Sequence, residues 1–511
     1  MRVEMTLKKR FDRRQFVQAA ASASASSLLI SPVQSVASPA PKRDNPVIAE
    51  NAKAGTVDWQ LQYTSFDDPI TLASYPMNRR VRSAAIEGYA SKTSVLQGES
   101  FDLMVSLASA GNYTVDIYRL GYYGGAGGRH MARLGPFKGK PQPMPMMSME
   151  RLRECAWEKG TTISISKEWP SGVYLAKLRR AEEFGVESYV IFVVKEHRKA
   201  DLLVQVSDLT WQAYNKWPGK DSLYDDGTPE VWYTGPKVRV SFDRPYAKYC
   251  QVVDAPGSIG SGAYLLFEFP MAFWLEQQGY DVIYCSNTDL GMDQALLDNV
   301  KAFLSVGHDE YWSRPMFEAA LKARDRGLSL AFFSGDTMWS EIFTYDSSLT
   351  GSPFRAFARK RDFDGEEQKL MGVKSGPNGY GDWTITKPQH WIYEGLGVNE
   401  GDSIRGLVGW EYNWIPATDI PGLEVVASAP LTPRNTQWAK DQRHHAVVYP
   451  CKRGNCVFNA GTIWWPEGLS VPPGHIPVRV AGMGASFGVH PWVQRITTNV
   501  LDRMIKDSPI T

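Results

Sequence analysis

Between Asp201 and Asp336, apolar runs alternate with stretches of helical spacing: "DLLVQVSD", "YLLFEFPMAFWLEQQG", "DVIYCSN", "QALLDNVKAFLSVGHD", "SRPMFEAALKARDRG" and "LSLAFFSGD". A continuous apolar strand must be covered on both faces, and a chain that returns through a helix runs its strands parallel. The pattern therefore predicts a mostly parallel sheet with helices on both sides. Upstream, from Trp59 to about residue 195, "SFDLMVSL", "YTVDIYRLG", "TTISISKEW", "GVYLAKLRR" and "ESYVIFVVK" alternate apolar with polar and are separated by Gly, Pro and Asn. That texture predicts a β-sandwich of immunoglobulin type. After residue 350 short strands return, closed by a helix near "PWVQRITTNVLDRMIKD". A chain of 511 residues exceeds one hydrophobic core. The expected class is α+β and multidomain, with a sandwich over 59–198 and an α/β domain over 199–511.

The start of the chain has a different character. Arg13 and Arg14 precede Gln15, Phe16 and Val17, then comes a weakly hydrophobic Ala/Ser/Leu stretch and a small-residue end at Ser35, Val36 and Ala37. This order predicts a cleavable twin-arginine (Tat) export signal over 1–37, a linker over 38–58, and a periplasmic or secreted mature protein. No other apolar run reaches 18 residues, so no membrane span is expected. The 56 basic side chains nearly cancel the 55 acidic ones, which excludes a global field for nucleic acid or anionic lipid and points to a small or neutral partner. Of the five cysteines, Cys451 and Cys456 flank "KRGN" between two apolar stretches, where a disulfide could staple a hairpin.

Ligands of open parallel sheets bind beyond the carboxyl ends of the strands. "AFLSVGHDEYWSRP" ends such a strand, and "SDLTWQAYNKW" and "SGDTMWSE" follow two others. Asp309 or Ser313 could cap a helix beginning near Arg314 or Pro315, but capping does not require His308 or Glu310. A zincin would need a second His four residues on. "GYYGGAGGR" lacks the strand-to-helix context and the Lys-Ser/Thr of a phosphate loop, and reads instead as a turn that lets backbones approach closely. Neither Cys250 nor Cys285 has the glycine context of a nucleophile elbow.

Taken in order, "YRLGYYGGAGGR", "SDLTWQAYNKWPGKDSLY", "SFDRPY", "FEFPMAFWLEQQGYDVIYCSNTDL", "GHDEYWS", "GLVGWEYN" and "VFNAGTIWWPEGL" resemble the large, catalytic subunit of N,N-dimethylformamidase and its relatives. The resemblance implies a glutamine-amidotransferase-like (flavodoxin-like) α/β domain without the cysteine, joined to an immunoglobulin-like domain. It also implies a mononuclear ferric iron held by two tyrosines and a glutamate. Matched residue by residue, Glu310 is the carboxylate ligand, His308 its polar neighbour and Tyr214 the first tyrosine. Tyr246 is favoured over Tyr264 as the second. Lys360 and Glu411 fall at positions near the ligands, and His308 or Glu411 would move the proton to a departing amine. The implied activity is hydrolysis of a small C–N amide bond, with a small helical subunit or a homo-oligomer as the partner. The rival expectation is a periplasmic binding or structural protein whose crevice performs no turnover.

Overall fold

The computed structural model describes residues 45–62, 85–229, 232–247, 260–293, 295–433, 442–475 and 488–508. The expected export signal lies outside the described residues, as does Cys250. The fold is α+β, with several sheets and few helices.

Ile86–Ala90, Ser100–Leu107 and Lys159–Ser164 form an antiparallel three-stranded sheet. Gly111–Leu120 pairs antiparallel with both Gly128–Gly139 and Gly172–Arg180, and Glu187–Lys195 extends this second sheet. Ser94–Leu96 joins its edge in parallel. The alternation expected of half-buried strands brings Leu103, Val105, Ile117, Leu178 and Phe192, from both sheets, into one apolar core. Truncating any of these to Ala would cost about 2–5 kcal/mol through lost burial and the cavity left behind.

The central sheet has seven strands in the order Val282–Ser286, Ala200–Val206, Val300–His308, Ser329–Gly335, Cys456–Asn459, Arg443–Pro450, Glu424–Pro430. The first five run parallel, the sixth is antiparallel to them, and the seventh, antiparallel to the sixth, returns to the direction of the first five. The period of two divides it into two cores. Leu202, Val204, Leu304 and Val306 enter one, while Leu203 and Phe303 enter the other. Arg314–Arg326 covers the second face through Met316, Phe317 and Ala320, and Pro491–Lys506 covers the first through Val493, Ile496, Val500 and Met504. Ser313 caps the former, its Oγ accepting from the Met316 amide. Pro315 sits in the first turn, and Gly327 ends the helix at φ 120°.

The strand Gly111–Leu120 meets the helix Phe269–Gln277 through Arg119, whose guanidinium lies 2.8 Å from Glu276 with both side chains fully buried. Gly121 allows this approach, because a Cβ there would sit 2.3 Å from Glu276 Oε2. Within the glycine-rich stretch, Gly121 thus makes room for the Glu276 and Arg119 side chains, while Gly124 and Gly125 have nothing within 4 Å of an added Cβ. Within the stretch expected to be a linker, Pro46–Asn51 is a helix capped by the Asn45 side chain. Its Asn51 donates to Glu276 Oε2 at 2.8 Å. The Asn-Pro pair is itself a helix-start signal. Cys451 and Cys456 stand at the ends of the strands Arg443–Pro450 and Cys456–Asn459 as free thiols, so the hairpin is held by its backbone ladder without the staple.

Candidate metal centre

Parallel register sets His308 opposite Gly335 at the carboxyl ends of adjacent strands, and this brings Asp336 beside the His308–Glu310 turn. The turn is pinned by its backbone: the Glu310 amide donates to Thr210 Oγ1 at 2.9 Å, and the carbonyls of Asp309 and Glu310 accept from Met338 and Ser340. Glu411 arrives on the strand Glu411–Pro416. It comes this close because a Cβ on Gly335 would lie 2.7 Å from the Glu411 carbonyl. Ligand atoms of His308, Glu310, Asp336 and Glu411 all lie within 4.8 Å of one another, and all four side chains are buried. This group could hold a metal ion.

Two phenols complete the cluster. Tyr214, at the end of the helix Asp208–Ala213, donates to Glu310 Oε2 at 2.7 Å. Tyr224 lies 2.9 Å from Glu310 Oε1 and 2.8 Å from the Tyr214 hydroxyl, and also bonds the Tyr311 hydroxyl. The loop between the two tyrosines is tied to Arg244, a buried guanidinium that donates to the carbonyls of Trp217 and Asp221 at 2.9 and 2.8 Å and to that of Asn215 at 3.1 Å. One side chain thereby satisfies three loop carbonyls that burial would otherwise leave unpaired.

His308 Nε2 lies 3.2 Å from Glu310 Oε2 and 2.5 Å from Glu411 Oε2. Burial works to lower its pKa, but the two carboxylates, Glu411 foremost, outweigh it and push the imidazole up to about 10. For Glu411, burial works upward and the imidazolium outweighs it, so its carboxyl is held below the ordinary value. Asn378 Nδ2 donates to Glu411 Oε1 at 3.1 Å and fixes its orientation. Burial first, then Glu411 and Glu310, drives the Asp336 carboxyl well upward. Burial, then Glu310, does the same to the Tyr214 and Tyr224 phenols.

Of the residues expected from sequence, the structure brings together His308, Glu310, Tyr214 and Glu411. Tyr246 and Tyr264 stand elsewhere. Tyr246 borders a cavity of about 30 Å³ with Asp208, Trp211 and Phe242. Tyr264, 1% exposed, packs edge-on against Trp211 at 5.8 Å. The tyrosine that meets Glu310 beside Tyr214 is Tyr224, from "DSLYDDG". In "SFDRPY" the residue tied to the site is Arg244, which holds the loop. Lys360 does not reach the cluster either, since it pairs with buried Glu341 at 2.8 Å; the lysine bordering the cleft is Lys374. Asp336 was legible only as part of a polar strand end. Asp309 turns away from the cluster and accepts from Gln205, Ser305 and Asn287 at 2.8, 2.8 and 2.9 Å, so it caps no helix.

Tyr214, Tyr224, Glu310 and Glu411 open onto a cleft of about 750 Å³ walled by Trp232, Trp339, Trp410 and Trp414. Residues 114–477 of the chain match the family described as N,N-dimethylformamidase beta subunit-like, C-terminal. Comparison with curated proteins found no match.

Proposed function

The chain belongs to the N,N-dimethylformamidase beta subunit-like family, and on that premise we propose that it is an exported, iron-dependent hydrolase of C–N amide bonds. The observation that carries the reading is the convergence of the Tyr214 and Tyr224 hydroxyls on the two oxygens of one buried carboxylate, Glu310. Two phenols and a carboxylate are hard oxygen donors of the kind ferric iron prefers, and three such ligands leave positions free for substrate. In this reading Tyr214, Tyr224 and Glu310 hold the metal, with Tyr224 taking the place assigned from sequence to Tyr246. Bound there, ferric iron supplies Lewis acidity toward an amide carbonyl.

The protein's own groups do the rest. His308, kept protonated by Glu411 and Glu310, carries a proton at Nε2 directly behind Glu310 and Glu411, which line the cleft. An amide nitrogen leaves only when protonated, and His308 is the donor placed to supply that proton. Glu411, steadied by Asn378, balances the imidazolium charge; as the attacking water bonds to the carbonyl carbon and the C–N bond breaks, Glu411 takes the water's proton and passes it to His308 Nε2, which has given its own to the departing amine. The carboxylates and the imidazole themselves are buried, which strengthens each of these interactions. The remaining parts of the proposal are a twin-arginine signal over 1–37, an immunoglobulin-like sandwich over 59–198, an amidotransferase-like α/β domain over 199–511, and a small helical subunit or a second copy as partner. They are supported by the N-terminal sequence, the sheet orders above and the family.

Amine release tests the activity. Iron-loaded protein is offered formamides and acetamides of dimethylamine and of amino alcohols, both neutral and ammonium-bearing. Turnover is expected, and His308→Gln should lower it by about 10²-fold or more while the protein stays folded. If no amide in the panel is hydrolysed, the hydrolase reading fails and a binding protein is the better account of the crevice.

A further inference from the structure

The cleft has the dimensions of a site for a ligand much larger than a dialkylformamide. Its volume of about 750 Å³ lies within the roughly 300–1,000 Å³ of pockets that enclose drug-sized molecules. Its charge is one-sided. Beyond Glu310 and Glu411, the segment "DFDGEE" contributes Asp362, Asp364 and Glu367 to one rim, and Asp336 adds a carboxyl whose ionisation burial, Glu411 and Glu310 oppose. Lys374 is the one cationic side chain among the described lining residues.

Some of this charge is offset locally. Glu411 is balanced by the His308 imidazolium at 2.5 Å, Asp364 pairs with Lys374 at 2.9 Å, and Asp362 pairs with Arg359, which stacks on Trp339 at 3.9 Å. Asp336 and Glu367 form no ion pair among the described residues, and Asp336 Oδ1, on a side chain 5% exposed, has no hydrogen-bond partner. The walls are equally selective. Trp232, which lines the mouth, is 56% exposed, an unusual state for an indole unless something covers it. Tryptophan faces and carboxylates together make an environment in which a cation is attracted by ring quadrupole and by charge, whereas an anion is repelled.

We infer that the substrate is an amide carrying an alkylammonium group, seated between the tryptophans and the acidic rim while its amide reaches Glu310 and His308. The inference rests on the hydrolase reading for the word amide, and on the walls of the cleft alone for the cation. It departs from the neutral partner suggested by the chain's overall charge, because a near-zero total conceals a local imbalance.

The test is binding, kept separate from turnover. Three probes of one shape are titrated against the full chain by tryptophan fluorescence: choline, its neutral isostere 3,3-dimethylbutan-1-ol, and the anion 3,3-dimethylbutanoate. Choline should bind about tenfold or more tighter than the neutral isostere, which is what roughly 1.4 kcal/mol of cation recognition gives, and the anion weakest of the three. Asp364 is solvent-facing, so Asp364→Asn should fold normally and narrow the preference. Glu366→Gln, on the same segment but paired with Arg314 and Arg361, should leave it unchanged. Equal binding of choline and its neutral isostere, tighter binding of the anion, or an undiminished preference in Asp364→Asn would overturn the inference. A choline preference without amine release would sink the hydrolase reading and leave this one standing; amine release without the preference would do the reverse.

Discussion

Gly307 precedes His308 with φ +71°, and a Cβ added there would lie 2.6 Å from the Phe267 carbonyl oxygen and 2.8 Å from the Phe267 Cβ. The first contact is about 0.8 Å short of the 3.4 Å at which ordinary packing begins. Gly307→Ala should therefore incur two penalties. Placing an L-residue in the left-handed region costs about 1–2 kcal/mol, and overpacking against a fixed carbonyl adds about 1–3 kcal/mol. Gly351 isolates the first penalty, because it has φ +70° and nothing within 4 Å of an added Cβ. The assay is urea unfolding of both variants, with Gly351→Ala losing about 1–2 kcal/mol and Gly307→Ala about 2–5 kcal/mol. His308 packs edge-on against Phe267 at 6.1 Å, so the first variant should also lose amine release through a misplaced imidazole. Equal stability losses in the two variants would refute the claim that close approach to Phe267 fixes this strand end.

Asp309→Ala strands three buried donors, from Gln205, Asn287 and Ser305, and should cost about 3 kcal/mol. Loss of the cap in Ser313→Ala should cost only about 1 kcal/mol, and the reverse order in denaturant melts would restore Asp309 as the cap. His444 is buried and pushed down to about 3, and burial likewise lowers His475 to about 4, so both are neutral in the folded protein. Protons then bind the unfolded chain first, and stability should fall as pH drops below about 6.5, by about 2 kcal/mol per histidine at pH 5; an unchanged urea midpoint between pH 7 and 5 would count against this. Replacing Arg13 and Arg14 with lysines should leave an uncleaved precursor in the cytoplasm, and normal processing of that variant would remove the twin-arginine assignment.

The parallel sheet was legible because strands such as Val300–His308, covered on both faces, must be apolar throughout, whatever the partner side chains. Ser313 and Pro315 were legible because helix starts are local. His308 and Glu310 stood out because a strand end gives them no structural reason to be there. Tyr224 was harder to find because its placement depends on a loop folded around Arg244, a contact between residues 20 or more positions apart that no local pattern encodes. Lys360 illustrates a different difficulty. On Ala356–Asp362 it pairs with Glu341, and only the three-dimensional arrangement shows that Lys374, from another strand, borders the cleft. Asp336 meets the cluster through strand register, which the sequence leaves open until neighbours are known.

The central claim is that Tyr214, Tyr224 and Glu310 together bind iron, and metal analysis with visible absorption of matched tyrosine variants tests it most directly. Tyr→Phe removes one donor oxygen and keeps the ring packing. Wild-type protein made with ample iron should hold about one iron per chain and be coloured by phenolate-to-iron charge transfer. Tyr246→Phe should match it in both respects, while Tyr224→Phe and Glu310→Ala should lose iron and colour. The account is contradicted if wild type is colourless and metal-free, or if Tyr246→Phe loses the iron that Tyr224→Phe retains.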